Sequence, residues 1–255
     1  MTDTHAHIYL PEFDLDKKEI ILRAKEAGVS KIFLPNIDID TIVPMLQLCL
    51  EEKNYFFPMM GLHPCSVKDN YAFQLAFMEK YLQEGKHKFY GIGECGLDYF
   101  WDKSMIEEQK IAFEMQIQFA KNYKLPIIIH SREAIDDCIS LIAKHKNENL
   151  HGIFHCFSGT EEQLEKIISL GFYAGIGGVA TFKNGGLDKV LKKEHLPNLV
   201  LETDSPYLSP VPFRGKRNEP SYLKYVSKRL AEILLIAESE LLSATESNVS
   251  RIFKV

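Results

Sequence analysis

Residues 124–155 read KLPIIIHSREAIDDCISLIAKHKNENLHGIFH. A short apolar run leads to His130, a stretch with helical spacing covers about residues 133–144, and a second apolar run leads to His155. Runs of that length read as buried strands, and strand–helix–strand is the unit that builds a parallel sheet. A histidine just past the same end of two successive strands puts both rings on one face. The pattern spreads in both directions. His5 and His7 stand in TDTHAH, Glu94 ends FYGIGE and Asp204 ends LVLETD. Strand-like runs lie near about residues 2–6, 31–34, 56–61, 89–93, 126–129, 152–154, 172–176 and 199–202. Helix-like stretches separate them at about 15–27, 41–53, 71–83, 107–123, 133–144 and 160–170, and two more follow at about 222–234 and 239–250.

Eight strands alternating with helices predict an α/β fold of the (β/α)8 TIM-barrel type, with residues 1–255 as a single domain. An open doubly wound sheet is the rival. The barrel is favoured because polar strand ends come from the first strand to the last, and only closure brings those two together. In such barrels the chemistry sits on the C-terminal face.

Composition narrows the function classes. The chain has 45% hydrophobic residues and a net charge of −5. That is ordinary for a globular enzyme and unlike a passive nucleic-acid binder, which is usually basic. Bound metal and a local basic patch can still serve a nuclease. The five cysteines are scattered, with no CxxC pair, which points to a reducing compartment. No signal-peptide pattern and no membrane-length apolar run is found, so a cytoplasmic location and no membrane partner are expected.

The strand-end set is rich in nitrogen and oxygen donors, which suits a divalent metal or a pair of them. Residues two apart on a strand face the same way, so His5 and His7 aim at one point. A buried carboxylate such as Glu94 needs a cation or metal beside it and could bridge two ions. Asp204 is placed as ligand and as general base for an attacking water. The run GIGECG at 91–96 matches G-x-G-x-x-G, but LDYFW follows and the next helix begins near Ile106, so it is no dinucleotide loop. Its glycines instead suggest a tight turn around Glu94. His63 in GLHP faces the same site, as metal ligand or as contact to a substrate oxygen. Arg132 can hold a phosphate or carboxylate through its planar fork. The basic loop RGKRNE at 214–219 adds phosphate-contact candidates, and Tyr99, Phe100, Trp101 and Phe182 could stack on an unpaired base.

With THAH (4–7), GLHP (61–64), GECGLDY (93–99), IIHSRE (128–133), HCFSG (155–159), GGVATFKN (177–184), LETDSPYL (201–208) and PFRGKRNEP (212–220) in this order, the chain resembles TatD-type metal-dependent deoxyribonucleases of the amidohydrolase-like superfamily. The resemblance spans nearly the whole chain. It implies a divalent metal site of one or two ions held by His5, His7, Glu94, His130, His155 and Asp204, with Glu94 bridging and Asp204 as base. It implies substrate contacts from His63, Arg132 and Asn218. Mg²⁺ is the implied ion for activity, and Zn²⁺, Mn²⁺ or Ni²⁺ can occupy the same ligands. The implied substrate is DNA, single-stranded or at 3′ ends, with no obligate protein partner. Thr4 and Ala6 stand where members often carry serine or cysteine, and neither is a ligand. The rivals on the same barrel are an amidohydrolase or a small phosphoesterase.

Overall fold

The computed structural model describes residues 1–101 and 103–255. Along them run β1 (Thr2–Asp3), α1 (Lys17–Glu26), β2 (Lys31–Pro35), α2 (Ile42–Glu51), β3 (Phe56–Met59), α3 (Tyr71–Glu84), β4 (Ile92–Asp98), α4 (Ile106–Tyr123), β5 (Ile127–Arg132), α5 (Ile135–His145), β6 (Gly152–Phe154), α6 (Glu161–Ser169), β7 (Tyr173–Ile176), α7 (Leu187–Val190), β8 (Leu199–Leu201), α8 (Leu223–Leu234) and α9 (Glu238–Phe253). All the strand pairings are parallel, in two sheets of order β1-β2-β3 and β4-β5-β6-β7-β8. The sheets do not share one continuous ladder. One seam is held by a single bridge, Met60 to Ile92, and by the Gly93 amide donating to the Met60 carbonyl at 2.8 Å. At the other seam Ala6 bridges Ser205, and the amides of Thr4, Asp204 and His7 donate to the carbonyls of Leu201, His5 and Ser205 at 3.0, 2.8 and 2.8 Å. The architecture is that of the (β/α)8 barrel.

Strand parity explains where the core and the site lie. Phe33, Phe57, Met59, Ile128, Ile153 and Val200 come from five different strands yet form one cluster, which only the barrel interior allows. Val249, Ile252 and Phe253 of α9 join them, with the Phe253 ring stacked 3.8 Å from that of Phe33, so the last helix plugs this end of the barrel. Their neighbours in sequence, Ile32, Ile127, Ile129, Phe154 and Leu201, belong to the larger cluster packed under the helices. The period of two then sets the next inward layer. Ile128 is followed by His130 and Ile153 by His155. Val200 is followed by Glu202 and Asp204, and Met59 by His63 four residues on.

β4 departs from this rule, and from the expected strand at 89–93. Ile92 is in the outer cluster, so simple alternation would turn Glu94 outward as well. Ile92 pairs with Ile127 but Cys95 pairs with Ile129, so three steps on β4 match two on β5. The extra residue is a bulge, a device that re-aims a side chain. Glu94 therefore lies within a strand rather than at its end, and the bulge points it inward. The glycines before and after it serve close approach rather than a turn. Gly93 has φ +155, and a Cβ there would lie 2.7 Å from the Ile128 Cβ.

Candidate metal centre

Glu94 is 3% exposed and divides its two oxygens between two groups of side chains. Oε2 lies 3.1 Å from His5 Nε2 and 3.4 Å from His7 Nε2. Those two nitrogens are 3.2 Å apart, and each is 3.6–3.7 Å from Asp204 Oδ1. Oε1 lies 2.8 Å from His130 Nδ1, 2.8 Å from His155 Nε2 and 3.4 Å from His63 Nε2. All six residues expected as metal ligands thus converge, with His63 beside them. Ring nitrogens and carboxylate oxygens facing one another this closely in a buried place could hold a divalent ion, and a carboxylate split between two groups would suit a pair of them.

Buried partners on the far side of the rings select the tautomers. Tyr9 donates its hydroxyl proton to the Pro35 carbonyl, so it accepts from His7 Nδ1 at 2.9 Å and leaves the Nε2 lone pair for the centre. Asp98 Oδ2 accepts from His130 Nε2 at 2.8 Å, which leaves Nδ1 free to ligate. His63 is the opposite case. Its Nδ1 accepts from the Cys65 amide at 3.0 Å, so Nε2 carries the proton and meets the centre as a donor rather than as a lone pair. Burial holds its pKa below the ordinary value, outweighing Glu94, which keeps the ring neutral.

Charge in the cluster is mutually supporting. Burial pulls the Glu94 carboxyl upward, but His155, His63 and His5 around it hold it well below the usual range. Burial also opposes ionisation of Asp204, and its contact with His7 and the charges of His155 and His5 win, so its pKa is lowered. Burial would lower His7, yet Asp204 and Glu94 raise it to about 9. A divalent ion bound at this point would have to displace that proton.

A model of the TatD-related DNase family matches residues 2–254. The chain belongs to this family. Among its TatD-family relatives is the metal-dependent hydrolase YabD of Bacillus subtilis, itself uncharacterized, 40% identical and aligned over 99% of this chain and 98% of YabD. The 3′-5′ ssDNA/RNA exonuclease TatD of Pectobacterium carotovorum is 30% identical over 100% of both chains. The crystal structure of YjjV, a TatD homologue from Escherichia coli K12, superposes with a TM-score of 0.94 at 30% identity, covering 100% of this chain and 98% of that one. The protein is a metal-dependent hydrolase of the TatD family.

Two of the expected substrate residues fare differently. Arg132 is exposed at the end of β5, its guanidinium 4.2 Å from the Phe100 ring and 5.9 Å from the Trp101 ring. Asn218 does not fit the substrate role. It is fully buried, donates to the carbonyls of Thr203 and Tyr207 at 2.7 Å each and accepts from the Glu219 amide at 2.9 Å. With its amide committed, it braces the loop over Asp204. Part of the basic loop is committed too, because Arg217 pairs with Asp16 at 2.6 Å. Arg214 and Lys216 remain exposed, the former 3.9 Å over the Phe182 ring.

Sequence reasoning passed over Tyr9, Asp98 and Glu202. Tyr9 continues the two-residue spacing of His5 and His7, Asp98 lies four residues past Glu94, and Glu202 two before Asp204. Each is a polar residue of inward parity in an apolar stretch, and that was the available signal.

Proposed function

We propose that this protein hydrolyses phosphodiester bonds with divalent metal, as a 3′-5′ exonuclease on DNA that is single-stranded or frayed at its 3′ end. The observation that carries the reading is Glu94, whose oxygens serve two ligand sets beneath the proton-bearing Nε2 of His63. Divalent ions held by His5, His7, Glu94, His130, His155 and Asp204, with Mg²⁺ as the working ion, supply Lewis acidity and a water activated at neutral pH. Asp204, ionised and 13% exposed at its side chain, is positioned to take a proton from the nucleophile. His63 offers a neutral N–H to a phosphate oxygen, and Arg132 a charged fork. Phe100 and Trp101, both exposed and already stacked with Arg132, offer a face to an unpaired base. The name of the Pectobacterium relative supports the polarity and the single-stranded substrate. Five free cysteines support a cytoplasmic location, and none of the helices described is long and apolar enough to cross a membrane.

The test is cleavage of end-labelled single-stranded DNA by chelator-stripped protein, with and without Mg²⁺ or Mn²⁺, beside Asp204→Asn. The expected result is metal-dependent release of nucleotides from the 3′ end, lowered by about 10²–10⁴ in the variant while metal still binds. Metal-loaded protein that cuts no DNA but opens a cyclic amide or lactone would move the assignment to the rival hydrolase.

A further inference from the structure

Behind the metal ligands, three buried polar atoms lack a hydrogen-bond partner: His5 Nδ1, His155 Nδ1 and Glu202 Oε2. Ligand-type atoms of these three residues lie within 4.8 Å of one another. The rings of His5 and His155 are stacked, with centroids 3.9 Å apart and planes 12° from parallel. Both turn Nε2 toward Glu94, His5 to Oε2 at 3.1 Å and His155 to Oε1 at 2.8 Å. Parallel rings that share one direction for Nε2 present their other edges together. Glu202 lies there, with Oε1 3.4 Å from His155 Nδ1.

Glu202 is itself held in place. Its Oε1 accepts the Cys156 amide at 2.5 Å. A Cβ on Gly175 would stand 2.1 Å from Oε2, so only glycine at this position leaves room for the carboxylate. A fully buried carboxylate seated beside two imidazole edges is an acceptor for their protons.

We propose that Glu202 is a positioning residue shared by two metal ligands: its carboxylate accepts the Nδ1–H of both His5 and His155 and thereby presents both Nε2 lone pairs to the centre. Metal-bound histidines commonly donate their other N–H to such a partner, which sets tautomer and ring angle. Here one group does this for a ligand of each Glu94 oxygen, so the stacked pair is clamped between two carboxylates and the two halves of the centre share a support. An additional ion between His5, His155 and Glu202 is the competing use. It would require both nitrogens of each ring to ligate at once, with neither bearing a proton. The inference rests on the metal centre and not on the nuclease reading.

The experiment uses the full chain loaded with Zn²⁺ and ¹⁵N-labelled histidine, read by low-field proton NMR and by chelator competition. Two Nδ1–H resonances, from His5 and His155, are expected at the low field of imidazoles bonded to carboxylate. In Glu202→Gln both move upfield, and Zn²⁺ affinity falls by about 10–100-fold. Gly175→Ala, which displaces the carboxylate without removing it, gives the same two changes. Unmoved resonances with unchanged affinity in folded Glu202→Gln would overturn the proposal. So would a zinc stoichiometry that drops by one ion per chain in that variant. Should Glu202→Gln fail to fold, the wild-type spectrum decides: without low-field Nδ1–H signals from these two histidines the proposal fails.

Discussion

Asp98 Oδ2 lies 2.8 Å from His130 Nε2, on the edge of the ring opposite the one that meets Glu94. The carboxylate is fully buried, and its other oxygen accepts the amides of Phe100 and Trp101 at 2.9 and 2.8 Å. Burial would raise its pKa, but His130 and these two amides hold it below the usual range. Asp98 thus fixes the His130 ring and begins the segment that carries the aromatic rim. Asp98→Ala should weaken Zn²⁺ binding by about 10–100-fold, read by chelator competition. Asp98→Asn, which keeps an acceptor for the two amides, should lose affinity with less disturbance of the fold. Affinity unchanged in both would remove Asp98 from the support of the centre.

Metal affinity should depend steeply on pH. Without metal, Asp204 and Glu94 overcome burial and hold the His7 proton to about 9, so an incoming ion must displace it. Below that pH, Zn²⁺ or Mn²⁺ affinity should rise about tenfold per unit for each proton released, and level off above it. The stability of the metal-free protein runs the other way. A pKa raised from 6.5 contributes stability fully below 6.5 and loses it as pH rises through about 9. Affinity measured from pH 6.5 to 9.5, beside melting of the chelated protein, checks both signs.

Arg132 makes a prediction that separates substrate contact from metal binding. It is exposed and touches aromatic rings rather than ligands. Arg132→Ala should leave Zn²⁺ affinity unchanged and weaken single-stranded DNA binding across sequences. The slope of log K against log salt should fall by about one. An unaltered salt slope would show that this guanidinium does not meet the backbone.

The loop over the site is tied to α1 by a forked pair. Arg23 Nε and Nη2 donate to the two oxygens of Glu219 at 2.8 and 2.6 Å, and the Glu219 side chain is 7% exposed. Arg23 itself is 42% exposed, so the pair falls between surface and buried cases. Arg23→Ala should cost about 1–2 kcal/mol, or roughly 2–8 °C in melting temperature. Burial raises the Glu219 pKa, but Arg23 and Ser221 hold it below 4.5. Its contribution is therefore present above 4.5 and lost as pH falls through the lower folded value. The difference between wild type and Arg23→Ala should shrink in acid, as thermal melts at pH 7 and pH 3 would show.

Local periodicity carried most of the fold and the convergence of the candidate ligand residues. The apolar runs at Ile127–Ile129 and Ile153–Phe154 read as buried strands, and counting two residues from Ile128 and Ile153 already aims His130 and His155 inward. Helix limits followed from the same counting, as in Ile106–Tyr123 against the expected 107–123. Residues that obey a short period are legible because the period is a property of the chain itself.

What the chain alone left undecided depends on contacts that no period records, some local and some far away in sequence. The β4 bulge exists only against β5, and without it Glu94 would face the helices. The proton on His63 Nε2 follows from the Cys65 amide meeting Nδ1. Asn218 looked like a substrate contact until Thr203 and Tyr207 claimed its amide. Glu202 acquires a use only where the stacked rings of His5 and His155, drawn from the first and sixth strands, turn their far edges toward it. Sequence determined which side chains share a face. Closure of the barrel decided which of their atoms meet, because hydrogen bonds between residues about 200 positions apart have no periodic signature.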